Sequence, residues 1–478
     1  MKYNKKILMI LVSFLLCSFT SCENKPAGSL SESEPESSQL SFEISEETSS
    51  EIITEPSHNE PDISGQTIYW LADYNLNPEN GENRSTALSL FEDIYGGKIE
   101  YIYADADEKF EVLDARIRAG EPVDMFPYEI NTIPEGVTKN LYQPLDDYFD
   151  ILEWDSELWE DMHNTADILS YNGSHYVLPY SISDPFVITY SRKLMKSENF
   201  EDPYKLYQEG KWDWDIFMNM MKTFESRQVE GTYRYGIAGQ FGKAFLYSSG
   251  KTVVSLNNGK FVNNIGDTSI AKAETLMNEI GKNGLYNNRW YSNFPSNENT
   301  LFYAMESWSL SESNAVNPDS DLMIVPFPKS PDTDKYYMSA NYNARMLVKN
   351  SDKGEAVSAY IKCERLAETS AKYQEEKKKQ ALIKKTTPKG IITGFITEEQ
   401  YNALQEYTNP EICTPIFDFG YGMGSVMYGE GDYTYATSGV MNKLIYELIE
   451  DNGHAENWDI LRDSCKEIID AEIVKLNK

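Results

Sequence analysis

The stretch EGKWDWDIFMNMM, Glu209 to Met221, sets two tryptophans around one aspartate at the head of an apolar run. Paired indoles beside a carboxylate could stack on a sugar ring and accept from its hydroxyls. The same letters also describe the start of a helix. With Asp213 as N-cap, Trp212 falls at N′ and Phe217 at N4, the two positions of a hydrophobic staple. Trp214 then packs at N1, and Asp215 lies where the helix dipole favours negative charge. The spacing predicts architecture at this pair rather than a ligand site. Met220, Met221 and Phe224 continue the same apolar stripe at helical spacing and are expected in the core.

Other chemistries find little support in the residues. The four histidines, His58, His163, His175 and His454, are scattered, and no His/Cys spacing matches a zinc site. No glycine-rich phosphate loop follows a strand. No Ser/His/Asp set is convincing, so no catalytic residue, metal or cofactor is expected. A formal net charge of −33 over 478 residues argues against nucleic acid, because no basic stripe can meet a phosphate backbone. The one basic run, EEKKKQALIKK from Glu375 to Lys385, reads as a solvated helix face of mixed charge. Cys363, Cys413 and Cys465 have no catalytic base beside them and read as buried structural cysteines.

The elements that position side chains follow from periodicity. GQTIYWLAD reads as a strand, RSTALSLFEDIYGG as a helix, KIEYIYAD as a strand, EKFEVLDARIRAG as a helix and EPVDMFPYE as a strand entering a loop. Strands alternating with helices call for a mainly parallel sheet with covered faces, an α/β fold. Open α/β sheets bind ligands beyond the carboxyl ends of their strands. That rule singles out Trp70, Asp73 and Tyr74 after the first strand, and Tyr128 and Glu129 after the third. Further on, the Asn172-Gly173 turn is expected to join two short strands.

The N-terminus reads as export machinery. Lys2, Lys5 and Lys6 precede the apolar run Ile7 to Leu16, which is too short to span a bilayer. The following Phe19-Thr20-Ser21-Cys22 looks like a bacterial lipobox, with Phe19 where leucine is usual. It makes residues 1–21 a lipoprotein signal and Cys22 the lipidated residue; ordinary signal cleavage is the alternative. Residues 22–62 are rich in Ser, Glu and Pro, with Lys25 as the one Lys or Arg. Such a segment buries too little to offset ordering entropy and is expected to be a disordered tether.

PVDMF, LYQPLDDYFD, YNGSHYVLPYSISDPFVITYSRKLM, GKWDWDIF, LFYAMESWSL, MIVPFPK and YNARMLVKNSDKGEAVSAYIKCE follow one another through the chain. Their order and spacing resemble the family 1 extracellular solute-binding proteins, the lipoprotein receptors of ABC sugar importers, of which the maltodextrin-binding proteins are the best known. The match runs from Ile68 to the C-terminus. It implies a two-lobed periplasmic-binding-protein-like fold of type II around a hinged cleft, with lobe 1 at about 63–182 plus 326–395 and lobe 2 at about 183–325 plus 396–478. The first crossing is expected just after Leu178-Pro179.

The resemblance also implies cleft positions. Asp73 in WLADY matches a sugar-bonding acid, with Tyr74 beside it. In PVDMFPYE, Tyr128 matches a stacking aromatic, Glu129 is its neighbour, and Asp124 is assigned to fixing the loop. Asp184, or Ser183 next to it, falls near a family carboxylate. Trp308 in AMESWSL lines up with a stacking tryptophan, although the glycine usual before it is missing. GIAGQFGKAF offers Gln240 or Phe241, and FDFGYGMGSVMYGEGDY offers Tyr421 or Tyr428. Such residues suit a carbohydrate, whose C–H faces lie on aromatic rings and whose hydroxyls donate to carboxylates and amides.

The reading is therefore a lipid-anchored receptor on the outer face of a bacterial cell membrane. It is expected to act as a monomer that hands a sugar, foremost an oligosaccharide, to ABC permease subunits. Two alternatives stay open: an anchored glycoside hydrolase, which needs two carboxyls across one bond, and the same binding fold with a peptide or other non-sugar ligand.

Overall fold

In a computed structural model, residues 61–78, 84–228, 230–287, 299–316, 318–429, 439–449 and 456–477 are described. The chain divides into units Met1–Glu55 and Pro56–Lys478, and every described residue belongs to the second. Cys22, the signal and nearly all of the tether lie outside the described residues.

Strands β1 (Thr67–Ala72), β2 (Lys98–Tyr103) and β3 (Met125–Pro127) alternate with helices α1 (Thr86–Tyr95) and α2 (Lys109–Ala119), in the order that periodicity predicts. Local signals set the ends of α1. The Ser85 side chain caps it by accepting from Leu88 N at 3.1 Å, and Gly96, at φ 65°, closes it in the left-handed region. β1 lies between β2 and β3 and is parallel to both, while Arg345–Leu347 joins β3 antiparallel at the edge. Trp70 and Leu71 of β1 are fully buried, as a strand covered on both faces requires.

A second sheet has the order Leu322–Pro326, β5 (Phe186–Ser191), Thr300–Glu306, β6 (Tyr235–Gly239), Tyr286–Asn287. Four of its five strands run one way, in keeping with mainly parallel sheets, and β5 is the exception. β5 is antiparallel to both neighbours, and only β6 pairs in parallel on each side. The reason lies in the route of the chain. Strand β4 (Ser181–Ser183) pairs antiparallel with Asn341–Asn343, forming a ribbon between the two sheets. β5 runs out of that ribbon after Asp184-Pro185, and Leu322–Pro326 runs back toward it, so the two lie side by side in opposite directions. The Asn172-Gly173 turn is present at φ 53° and 76°, but the strands around it reduce to one bridge, Tyr171 with Ser174.

The Trp212/Trp214 pair is architecture. Asp213 caps the helix Trp214–Ser226 by accepting from Ile216 N at 3.0 Å. Trp212, fully buried, meets Phe217 edge-on at 5.7 Å and donates to Pro326 O at 2.9 Å. Trp214 stacks on Phe245 at 5.5 Å and donates to Ser248 Oγ at 2.9 Å. Met220, Met221 and Phe224 are buried with them, as are Cys363, Cys413 and Cys465. The basic run lies largely on the exposed helix Ala371–Ala381, where Lys378 pairs with Glu398 at 2.7 Å and Lys379 with Glu375 at 3.9 Å.

Candidate functional site

The carboxyl ends of β1 and β3 bring Asp73 and Glu129 together through a residue that the sequence did not single out. Lys109, at the first turn of α2 and only 5 % exposed, places Nζ 3.0 Å from Asp73 Oδ1 and also contacts Glu129 Oε1. Burial pulls the Lys109 ammonium toward lower pKa, but the two carboxylates outweigh it and hold the group above its ordinary value. Burial raises Glu129, with Lys109 opposing. Neighbouring Tyr74 accepts from Arg345 Nη1 at 3.0 Å and packs edge-on against Trp70 at 5.4 Å. Arg345 is buried, pairs with Glu364 at 2.7 Å and lies over Trp70 and Tyr180. Tyr128 is half-buried near Tyr342, and burial raises its pKa. Asp124 anchors the loop, accepting from Tyr69 N at 2.8 Å and Ser351 Oγ at 2.7 Å.

On the other sheet, Asp184 stands at the exit of β4 with φ 47°. Ser307 ties that corner down: its N donates to Pro185 O at 3.0 Å and its Oγ to Asp184 Oδ1 at 3.5 Å. The next residue, Trp308, is 45 % exposed, and its indole N–H donates to Glu306 Oε2 at 2.8 Å. Burial raises both Asp184 and Glu306, and the Asp184 carboxylate adds to the rise at Glu306. Glu306 was not singled out in the sequence, because a Glu at a strand end reads as solvated surface until its tryptophan partner is placed.

β6 ends against the neighbouring strand. A Cβ on Gly239 would stand 2.0 Å from Ala304 O, so only glycine permits this approach. Gln240 follows, half-buried, with its N donating to Ala304 O at 2.9 Å. Phe241 corrects an expectation: it is 1 % exposed and meets Tyr286 edge-on at 5.3 Å, inside the core. Adjacent residues that leave a strand end point different ways, and here the apolar one turns inward. Lys243, two residues on, holds Nζ 4.5 Å from the centroid of the Tyr421 ring. Tyr421 is 4 % exposed and lies 6.1 Å from Tyr428. Its turn, Phe419–Gly422, is fixed by Asp418, which accepts from Val253 N, Val254 N and Gly420 N. A Cβ on Gly422 would come 1.9 Å from Ile133 O, so this turn presses on the loop that follows Glu129.

The structure thus gathers Asp73 with Glu129, Asp184 with Trp308, and Tyr421 with Lys243. Two open cavities lie elsewhere, one of ≈ 540 Å³ by the Asn172-Gly173 turn and Phe419, one of ≈ 470 Å³ by Arg365 and Lys377. Neither is lined by any of these gathered residues. No group of three metal-ligating side chains occurs among the described residues.

Residues 87–378 match the family model for bacterial extracellular solute-binding proteins. The chain belongs to that family. No curated protein sequence matches this solute-binding protein. Solved structures of the same two-lobed fold align over most of it. A sugar transporter protein from Rhizobium etli in an open conformation gives a TM-score of 0.61 at 13 % identity, covering 85 % of this chain and 99 % of that one. The galacto-N-biose/lacto-N-biose I-binding protein of Bifidobacterium longum, in complex with lacto-N-biose, gives 0.58 at 12 % identity, covering 86 % and 97 %. The sugar-binding protein MalE of Xanthomonas citri gives 0.57 at 13 % identity, covering 86 % and 98 %. At these identities the likeness speaks for the fold: two α/β lobes, as the resemblance in the sequence implied.

Proposed function

We propose that this solute-binding protein is the receptor of an ABC importer and captures a carbohydrate, foremost an oligosaccharide, without altering it chemically. The observation that carries this reading is Trp308. A large, half-exposed indole held by Glu306 beside Asp184 offers a flat face for a sugar ring and carboxylates for its hydroxyls. Asp73, Tyr74, Tyr128 and Glu129 serve from the first lobe, and Gln240 and Tyr421 from the second. The lacto-N-biose bound by the Bifidobacterium longum protein supports a sugar ligand on this fold.

In this proposal the lobes comprise about 63–182 plus 326–395 and about 183–325 plus 396–478. They close about the ribbon of β4 and Asn341–Asn343, because contacts to both lobes favour the closed state. Cys22 carries the lipid that holds the receptor at the outer face of the cell membrane. The tether of residues 22–62 spans the gap, and the closed monomer delivers its sugar to membrane permease subunits driven by a separate ATPase.

Thermal unfolding of the purified protein against mono- and oligosaccharides, amino acids and peptides tests the reading. A ligand at 100 times its Kd adds about 2.7 kcal/mol to stability, a clear rise in Tm. A rise with one glycan class and no product in the mixture is expected. Cleavage of the glycan would make the protein a hydrolase, and a rise with peptides alone would remove the sugar.

A further inference from the structure

In a chain of net charge −33, the buried cations among the described residues are matched one by one. Lys109 sits on Asp73 at 3.0 Å, Arg345 on Glu364 at 2.7 Å, Lys362 on Glu153 at 3.0 Å, and Arg365 on Asp161. Lys243 breaks the pattern. It is partly buried on the helix Gly242–Tyr247, and its described neighbour is the face of Tyr421, 4.5 Å away. The acidic groups whose fields reach it, Glu306 and Asp418, are engaged elsewhere. Glu306 accepts from the Trp308 indole, and Asp418 from three backbone N–H groups. Burial lowers the pKa of Lys243, as it does for an ammonium short of counter-charge. A cation beside an aromatic face, close to the anchor of an exposed tryptophan, is a receptor for an anionic substituent on a ring that stacks there.

We propose that the ligand carries a carboxylate, as in an oligosaccharide containing a uronic acid, and that the Lys243 ammonium pairs with it. The inference rests on the carbohydrate reading above and narrows its substrate class. A carboxylate on the sugar supplies the ion-pair partner that Lys243 lacks among the described residues. The carboxylates of Asp184, Asp73 and Glu129 are left for hydroxyl groups.

The test compares galacturonate and glucuronate oligosaccharides with their methyl esters and with neutral glucan oligosaccharides. Binding to the full-length wild-type protein and to Lys243→Met is measured by calorimetry. The ester removes the charge and adds one methyl group, so the wild-type protein tests the idea and Lys243→Met controls for the methyl. A free acid is expected to bind on the order of tenfold tighter than its ester, the size of one charge-assisted contact. Lys243→Met is expected to erase that difference while its unliganded Tm stays equal or rises, since an ammonium without a carboxylate partner among the described residues is removed. Equal binding of acid and ester, or a preference that survives in Lys243→Met, overturns the inference. Binding of neutral glucans alone also overturns it and leaves the carbohydrate reading standing. Binding of peptides with no glycan removes both.

Discussion

Trp308 donates its indole N–H to Glu306 Oε2 at 2.8 Å, and this bond holds a ring that is 45 % exposed in one orientation. An exposed tryptophan free to change rotamer would lose entropy on stacking, whereas one fixed by its neighbour meets the ligand with that cost already met.

Trp308→Ala is therefore expected to weaken glycan binding by about 1–3 kcal/mol and to leave Tm of the unliganded protein within a degree or two. Trp308→Phe keeps a stacking face but loses the bond to Glu306, so its affinity should fall between the two. Calorimetric titration of the three proteins checks the order. Wild-type affinity in a folded Trp308→Ala would take the residue out of the site.

Trp212 should behave in the opposite way. It is fully buried, packs on Phe217 and Phe302, and donates to Pro326 O. Trp212→Ala is expected to cost about 3–5 kcal/mol of stability. Affinity measured well below the lowered Tm should be unchanged. A drop in affinity with little loss of stability would return this pair to the sugar platform first considered.

Lys109 supports two carboxylates at once. Lys109→Met leaves Asp73 and Glu129, both partly exposed, facing each other without a cation. A loss of about 1–2 kcal/mol is expected, below the cost of breaking a fully buried pair because water reaches both acids. Glu129→Gln in the Lys109→Met background should restore part of it. Denaturant midpoints of the two single variants, the double variant and the wild type form the cycle, and additivity of the two changes would deny the coupling.

Glu274 gives a pH prediction. On the helix Thr268–Lys282 it is fully buried, and neither carboxyl oxygen has a hydrogen-bond partner among the described residues. Burial alone raises its pKa well above the ordinary glutamate value. The folded protein keeps this proton where the unfolded chain, titrating near ~4.3, has lost it. The unfolded state then binds fewer protons, so this group makes stability fall as pH rises from about 4 upward. Glu274→Met removes both the orphan acid and that slope. Its gain over wild type should be larger at pH 7.5 than at pH 5, read as the difference in urea midpoints. A gain that shrinks on going to pH 7.5 would contradict the assignment.

Much of this was legible along the chain, because it depends on neighbours within a few residues. The alternation from β1 to β3, the cap at Asp213 with its Trp212–Phe217 staple, and the core stripe through Met221 and Phe224 are local patterns of hydrophobicity and hydrogen bonding. The strand-end rule pointed to Asp73 and Glu129 by the same logic. The string of family motifs pointed to two lobes.

What the tertiary structure alone decided concerns groups far apart in sequence. Lys109 meets Asp73 across 36 residues, and Arg345 meets Tyr74 across 271. Phe241 turns into the core while Lys243 turns to Tyr421, and Glu306 becomes the anchor of Trp308. β5 runs antiparallel to Leu322–Pro326 because the chain enters and leaves their sheet through one ribbon. Hydrophobic period and capping act within a turn or two, so a linear sequence carries them. Ion pairing, burial and ring contact act through space, and they exist only once the lobes are folded.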